Sequence, residues 1–242
     1  MTKAGTTMRD SGDQDSVRHI VRTLRRRIVA WQYPPQFPLV EEALAQEFGL
    51  SRSPVRQALT HLAAEGLVER LPRRGFRVQQ LKMVDVEDLY GFRLALESQV
   101  VRALASRGLD EQTLARLRAP WQDPQALASE PVTRLAELDE GFHLGLAQAH
   151  GNALIIRHLE HINERLFAFR ELDFDGNDRI ASTCAEHGGI LEAIVARDVA
   201  LACELIERNI NSGLGNVEDA LVRLVGRSYL SSTHPVSKGV SP

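Results

Sequence analysis

Residues 49–66 read GLSRSPVRQALTHLAAEG, and they are the most informative residues for the fold of the N-terminal third of the chain. Ser51 is suited to cap a helix, and Pro54 falls in the first turn, where its missing N–H needs no partner. The apolar residues that follow at helical spacing are Val55, Ala58, Leu59 and Leu62. Arg52 and Arg56 share another face near the helix N-terminus, which attracts anions through its free N–H groups. The stretch therefore predicts a helix that meets phosphate groups or base edges.

A shorter helix precedes this one and a hairpin follows it. Residues 41–48 carry apolar residues at helical spacing, and Gly49 suits the turn that ends them. Further on, LVERLPRRGFRV contains two β-prone runs around a Pro-Arg-Arg-Gly turn, which predicts a hairpin. The residues at its tip are Arg73, Arg74 and Gly75. Helix, glycine turn, helix and hairpin is the order of a winged helix-turn-helix.

Charge is divided unevenly along the 242 residues, although the net charge is only −3. Residues 1–80 carry 13 Lys and Arg against 8 Asp and Glu, whereas residues 81–242 carry 16 against 24. A basic head on an acidic body predicts a polyanion partner for the head alone. No apolar run is long enough to span a membrane and no signal peptide is recognisable, so we expect a cytoplasmic protein without membrane contact.

From about residue 83 the pattern is helical almost without interruption, apart from the Pro-containing break APWQDP and short turns. An antiparallel all-α bundle is the economical fold for such a sequence, so the chain is expected to be mainly α. The expected segments are a flexible tail over 1–14, a winged-helix domain over 15–80, a helical domain over 81–228 and a flexible tail over 229–242.

Four polar side chains can converge inside that bundle. Asp139 and His143 stand four residues apart in ELDEGFHLGL and share one helix face. His187 and Asn209 flank the turn at 197–198 by about three helical turns each, so an antiparallel pair places them at the same height. A single buried histidine is usually a satisfied core residue, whereas a carboxylate and imidazoles on facing helices favour a metal site.

The segment GLSRSPVRQALTHLAAEGLVER followed by RRGFRV resembles the winged-helix head of GntR-family transcriptional regulators. The helical body resembles the FadR-type ligand-binding (FCD) domain, and the likeness spans nearly all of residues 15–228. Only the loop PPQFPLVEE departs from the family's usual Pro-Gly turn. The resemblance implies a homodimer whose recognition helices enter the major groove of a palindromic DNA operator.

The resemblance also implies which residues of the head contact DNA. Those expected at base edges and phosphates are Arg52, Ser53 and Arg56, while Gly75 approaches the DNA backbone. Arg73 and Arg74 are added because of their charge and their place at the tip of the wing.

For the body, the resemblance implies a divalent metal ion, zinc-, nickel- or manganese-like, at positions that usually hold Asp, His, His and a third His. The matching residues are Asp139, His143 and His187. Asn209 stands where the last His is expected, and its amide oxygen is a weaker ligand for such ions. Arg93, amid the apolar residues of YGFRLALE, would clamp the carboxylate of a small organic acid. The alternative for Arg93 is an internal ion pair with Glu97, one turn further on.

The expected function is a transcriptional regulator, most often a repressor in this family, whose operator affinity changes when a small carboxylate metabolite binds the helical body. Two alternatives use the same metal ligands. One is a regulator that senses the metal without an organic effector, and the other is a metal-dependent hydrolase that activates water. No general base stands beside the ligands in sequence and a winged-helix head has no use in catalysis, so no enzyme is expected.

Overall fold

The structure, a computed structural model, describes residues 7–72, 75–80, 82–174 and 179–232 of the chain. The chain divides into two compact units: residues through Lys82, grouped with those from Leu224 onward, and residues Met83–Arg223. The described residues are mainly α-helical, with one small antiparallel sheet in the first unit. None of their helices is both long enough and apolar enough to cross a bilayer. The predicted fold class is confirmed.

The first unit has the order of a winged helix-turn-helix. Its elements are α1 (Thr7–Val29), β1 (Pro38–Leu39), α2 (Glu41–Phe48), α3 (Arg52–Ala64), β2 (Val68–Leu71) and β3 (Gly75–Val78). Gly49 turns the chain between α2 and α3 with a φ of 64°, a left-handed conformation that a side chain would disfavour. β3 lies in the middle of the sheet and pairs antiparallel with both β1 and β2.

The core of the first unit forms where α1 packs on α3. The four apolar residues predicted to face inward on α3 are all fully buried: Val55, Ala58, Leu59 and Leu62. Arg25 of α1 is also buried and pairs with Glu65 at the end of α3, with Nη2 2.7 Å from Oε1. Because that charge is paired and hydrogen-bonded, its burial is tolerated.

Two helix boundaries and one additional strand differ from the sequence-based expectation. α1 begins at Thr7, inside the predicted tail over 1–14, because a helix nucleated by its apolar segment extends at little cost through residues without an apolar period. β1 adds a third strand, since Pro38 and Leu39 pair with β3. α10 (Val199–Ser232) continues past residue 228, into the predicted tail over 229–242, and residues 233–242 lie outside the described residues.

The second unit is an all-α bundle. Its elements before α10 are α4 (Met83–Arg107), α5 (Glu111–Arg118), a 3-10 turn (Ala119–Trp121), α6 (Pro124–Leu127), α7 (Val132–His150), α8 (Ala153–Asp173) and α9 (Arg179–Val195). α4 packs on α7, α8 and α9, and α7 packs on α8 and α5. Gly145 allows α7 to approach α5 closely, since a Cβ there would lie 2.5 Å from Leu117 Cδ2.

Candidate DNA interface and metal centre

The outer face of α3 carries the three residues predicted to contact base edges. Arg52, Ser53 and Arg56 are all exposed. Arg56 donates from Nη2 to Oε2 of Glu41 at 2.7 Å and from Nε to Oε1 at 3.0 Å. Arg52 Nη2 lies 3.7 Å from the same Oε2. The hydrogen bond from Arg56 lowers the pKa of Glu41 against the opposing effect of burial. One carboxylate of α2 therefore anchors both arginines of α3.

The wing is described in part. Gly75 opens β3 opposite Leu71 with a φ of 85°, and a Cβ there would lie 3.5 Å from the Leu39 carbonyl oxygen. A residue with a side chain would be strained in that conformation. Arg73 and Arg74 lie outside the described residues, so their expected contacts with DNA stay predictions.

In the second unit, three of the four predicted metal ligands come together. Asp139 and His143 project from α7 and His187 from α9, and one ligand atom of each lies within 4.8 Å of the others. Asp139 Oδ1 is 3.7 Å from His143 Nε2 and 3.3 Å from His187 Nε2. All three side chains are buried. The arrangement offers one carboxylate oxygen and two imidazole nitrogens to a common point.

Glu97 of α4 determines which nitrogen of His143 carries the proton. Its Oε2 contacts His143 Nδ1, and its Oε1 lies 2.6 Å from Arg93 Nε. Burial alone would raise the pKa of Glu97, but the Arg93 charge and His143 outweigh burial and hold it at about 2. An ionised carboxylate only accepts hydrogen bonds, so Nδ1–H donates. His143 Nε2 is the ring nitrogen that faces Asp139 Oδ1.

Asp139 Oδ1 faces the Nε2 atoms of both histidines at 3.7 and 3.3 Å, and neither contact is an aligned hydrogen bond. Burial would raise the pKa of Asp139, but the two histidines and Arg170 outweigh it and hold the pKa well below its usual range. Burial lowers the pKa of His187 to about 4, so this imidazole is neutral at pH 7. Among the described residues, His143 Nε2 and both ring nitrogens of His187 have no hydrogen-bond partner. Buried polar atoms are rarely left in this state unless an ion or water meets them.

Aromatic rings hold His187 in place. Phe142 stacks on it with the ring centroids 3.8 Å apart and the planes 10° from parallel. Trp121 meets it edge-on at 4.3 Å and 86°. The rings fix the orientation of the imidazole and surround it with apolar surface.

Arg93 and Asn209, the predicted effector and metal ligands, both contact glutamates of the chain itself. Arg93 forms the internal ion pair with Glu97, while its Nη2 is buried without a partner among the described residues. Asn209 donates from Nδ2 to Oε2 of Glu186 at 2.6 Å. The same carboxylate oxygen is 3.0 Å from Arg179 Nη1. The amide nitrogen of Asn209 is thus used by Glu186, the residue next to His187.

Arg170 and Asn163 of α8 belong to the same buried network, and neither residue was predicted from the sequence as part of the site. Arg170 Nε lies 2.8 Å from Asp139 Oδ2, and its Nη2 donates to Asn163 Oδ1 at 3.2 Å. Arg170 stands in the apolar run RLFAFREL, much as Arg93 stands in YGFRLALE. An arginine inside an apolar helical run was the feature that could have identified it.

Comparison with known proteins assigns both units. The model of the FCD domain matches residues 88–212, and the model described as bacterial regulatory proteins, gntR family, matches residues 16–78. The HTH-type transcriptional repressor RspR of Escherichia coli K12 is 29% identical over 202 residues, which are 84% of this chain and 87% of RspR. The HTH-type transcriptional regulator YdhC of Bacillus subtilis is 26% identical over 200 residues, 82% of this chain and 89% of YdhC.

The fold likewise agrees with a solved structure, that of E. coli McbR/YncC. The TM-score is 0.62 at 18% identity, covering 88% of this chain and 98% of that one. The matched family and both relatives are described as transcriptional regulators and not as enzymes, which supports a regulator over the alternative of a metal-dependent hydrolase. Because the FCD match alone covers more than half of the chain, the protein belongs to the GntR family of bacterial regulatory proteins and is a DNA-binding transcriptional regulator with an FCD domain.

Proposed function

We propose that this regulator is a repressor whose operator affinity is set by a divalent ion and a small carboxylate that bind together in the helical unit. It acts as a homodimer on a palindromic operator, because one recognition helix contacts too few base pairs for useful selectivity. The description of RspR as a repressor supports repression rather than activation.

One observation supports the ion: a buried carboxylate and two buried imidazoles converge, and three of the imidazole nitrogens have no hydrogen-bond partner among the described residues. Asp139 Oδ1 and the Nε2 atoms of His143 and His187 would hold the cation, and this donor set suits a zinc-, nickel- or manganese-like ion. Glu97 on the far nitrogen of His143 is the outer carboxylate that metal-binding histidines usually have. Three protein ligands leave coordination positions for water or for an oxygen of the effector.

Arg93 supports the proposal that the effector is a carboxylate. Its Nε is held by Glu97, and its buried Nη2 has no acceptor among the described residues. A guanidinium nitrogen in that state is a strong donor for a carboxylate, and the ion beside it adds further attraction. The effector would act by binding one arrangement of the dimer better than the other, which shifts the population between DNA-bound and released states.

Metal binding is tested on the full chain with Co²⁺ and Ni²⁺. Wild type should bind one ion per chain by mass spectrometry of metals, show the visible absorption of Co²⁺, and lose Trp121 fluorescence, because the indole lies 4.3 Å from His187. A Trp31→Phe background isolates the Trp121 signal. His187→Ala should abolish all three effects, whereas His161→Ala, at an exposed position of α8, should preserve them. Equal binding by wild type and His187→Ala would remove the ion from the proposal.

A regulator that senses the metal alone uses the same ligands and is the second candidate. It predicts that Ni²⁺ by itself changes the affinity for a duplex selected from a random library, with no further change on addition of organic acids. The unpartnered Arg93 Nη2 favours the acid-dependent form instead.

Asn209→His tests the weak fourth ligand. A histidine there should raise metal affinity, since it restores the third imidazole and the fourth protein ligand, and it should weaken binding of the effector that otherwise fills the open position. Competitive metal titration with and without organic acids measures both effects. Metal affinity equal to that of wild type would show that position 209 does not reach the ion.

A further inference from the structure

Three buried donors around Asp139 have no acceptor among the described residues. They are Arg93 Nη2, Arg170 Nη1 and Asn163 Nδ2. The ion-pair contact of Arg170 Nη1 with Glu140 Oε2 spans 3.7 Å, which is too long for a hydrogen bond. Leaving a buried donor unpaired is costly, and more so on a charged group. These donors therefore require an acceptor that the described residues do not supply.

The donors stand on two different helices. Arg93 stands on α4 and is held by Glu97, whereas Arg170 stands on α8 and is held by Asp139. Asn163 lies seven residues before Arg170 on the same face of α8, and the two side chains are hydrogen-bonded. One end of a ligand can take Arg93 together with the ion, while Arg170 and Asn163 remain for a second acceptor group.

We propose that Arg170 and Asn163 form a subsite for a second carboxylate, so that the effector of this regulator is a dicarboxylate. The proposal rests on the proposed function, in which the ion and Arg93 hold the first carboxylate.

The test compares acids of equal chain length by calorimetry on the full chain, loaded with Ni²⁺ and desalted into a buffer free of carboxylate and phosphate. The pairs are malonate with propionate, succinate with butyrate, and glutarate with valerate. At least one dicarboxylate should bind about tenfold or more tightly than its partner, as a lost charge-assisted anchor predicts. Equal affinities within every pair, or tighter binding of inorganic phosphate than of any dicarboxylate, would overturn the subsite. If no acid binds the loaded protein, the effector in the proposed function fails as well.

Asn163→Asp probes the subsite without changing its shape. The new carboxylate engages Arg170 and replaces the Nδ2 donor, so the preference for the dicarboxylate should fall by about tenfold or more while monocarboxylate affinity stays unchanged. Asn211→Asp makes the same chemical change at an exposed position and should have no effect. Retained dicarboxylate preference in Asn163→Asp would overturn the assignment.

A separate observation in the first unit concerns Glu41. This carboxylate is 12% exposed, whereas the Arg56 side chain that it holds through Nε and Nη2 is 59% exposed. A free arginine samples many rotamers, and ordering it before DNA arrives removes part of the entropic cost of a base contact. The Glu41 charge also opposes phosphate, which weakens binding that does not depend on sequence.

We infer that Glu41 is a positioning residue that determines the sequence specificity of α3. The test uses fluorescence anisotropy with a duplex selected by wild type from a random library and with a random duplex. Glu41→Gln and Glu42→Gln each remove one negative charge from neighbouring residues of α2, and both should tighten binding to the random duplex. Glu41→Gln alone should lower the ratio of selected to random affinity, by about tenfold, because a neutral amide cannot hold the guanidinium through two acceptors.

Equal ratios for Glu41→Gln and Glu42→Gln would overturn the role of Glu41. Arg56→Ala is the reference variant, because its ratio of selected to random affinity should fall at least as far as that of Glu41→Gln. A ratio unchanged in Arg56→Ala would overturn the role of Glu41 together with the placement of Arg56 at the bases. Circular dichroism of each variant establishes that the helices are retained.

Discussion

Replacing Glu97 by Gln should destabilise the helical unit by roughly 3 kcal/mol at pH 7. The side chain is buried between Arg93 and His143, and its pKa is about 2 in place of the ordinary 4.5. Since a tenfold change in a proton dissociation constant is worth about 1.4 kcal/mol, this difference corresponds to roughly 3 kcal/mol. Removing one member of a buried ion pair costs about 3–5 kcal/mol in general, which agrees with the value expected for Glu97→Gln.

The effect should depend on pH with a definite sign. The folded pKa of Glu97 lies below the unfolded one, so its stabilisation is complete above the ordinary value of 4.5 and is lost as the pH falls toward 2. The glutamine side chain of the variant cannot ionise, so the variant lacks this stabilisation at every pH. The gap between wild type and variant should therefore shrink from roughly 3 kcal/mol at pH 7 to about 1 kcal/mol at pH 3.

Urea unfolding measures this difference. Trp121 belongs to the helical unit and Trp31 to the first unit, so fluorescence in a Trp31→Phe background follows the helical unit alone. Glu204→Gln is the matched control, because its ion pair with Arg208 is exposed and such pairs contribute little. If the free energy of unfolding of Glu97→Gln stays within about 0.5 kcal/mol of the wild-type value at pH 7, the buried pair is refuted as a source of stability.

Further outcomes are expected on the same chain. Arg56→Ala should bind the selected duplex roughly ten- to hundredfold more weakly, and gel shifts indistinguishable from wild type would contradict the placement of α3 at the bases. Gly145→Ala should cost about 1–3 kcal/mol in urea unfolding, since its Cβ would lie 2.5 Å from Leu117 Cδ2, and an unchanged midpoint would mean that α5 moves away freely. Light scattering should give a dimer at micromolar concentration, and a folded monomer would exclude the homodimer.

The apolar period of the sequence predicted most of the helices and the buried face of α3. It did not predict β1, because two residues such as Pro38 and Leu39 are too short to show a period. It also placed the start of α1 too late, because Thr7 and the residues after it continue a helix that other residues nucleate.

The candidate site could be predicted where geometry is local. Asp139 and His143 follow from four-residue spacing, and the height of His187 follows from its distance to a turn. Spacing does not give the rotation of a side chain about the helix axis, so the hydrogen bond of Asn209 to Glu186 was not foreseen. The link from Arg170 to Asp139 joins two helices and leaves no periodic trace in the sequence.

The protonation of the ligand cluster has a thermodynamic consequence. Asp139 is ionised and His187 is neutral at pH 7, so neither has a proton to give up when a cation arrives. Metal binding usually releases protons into the buffer, which then adds its own heat of ionisation to a calorimetric trace. Here those two ligands add no such release at neutral pH. A difference between the binding enthalpies measured in Tris and in a buffer of low ionisation enthalpy would therefore report proton release from the third ligand, His143.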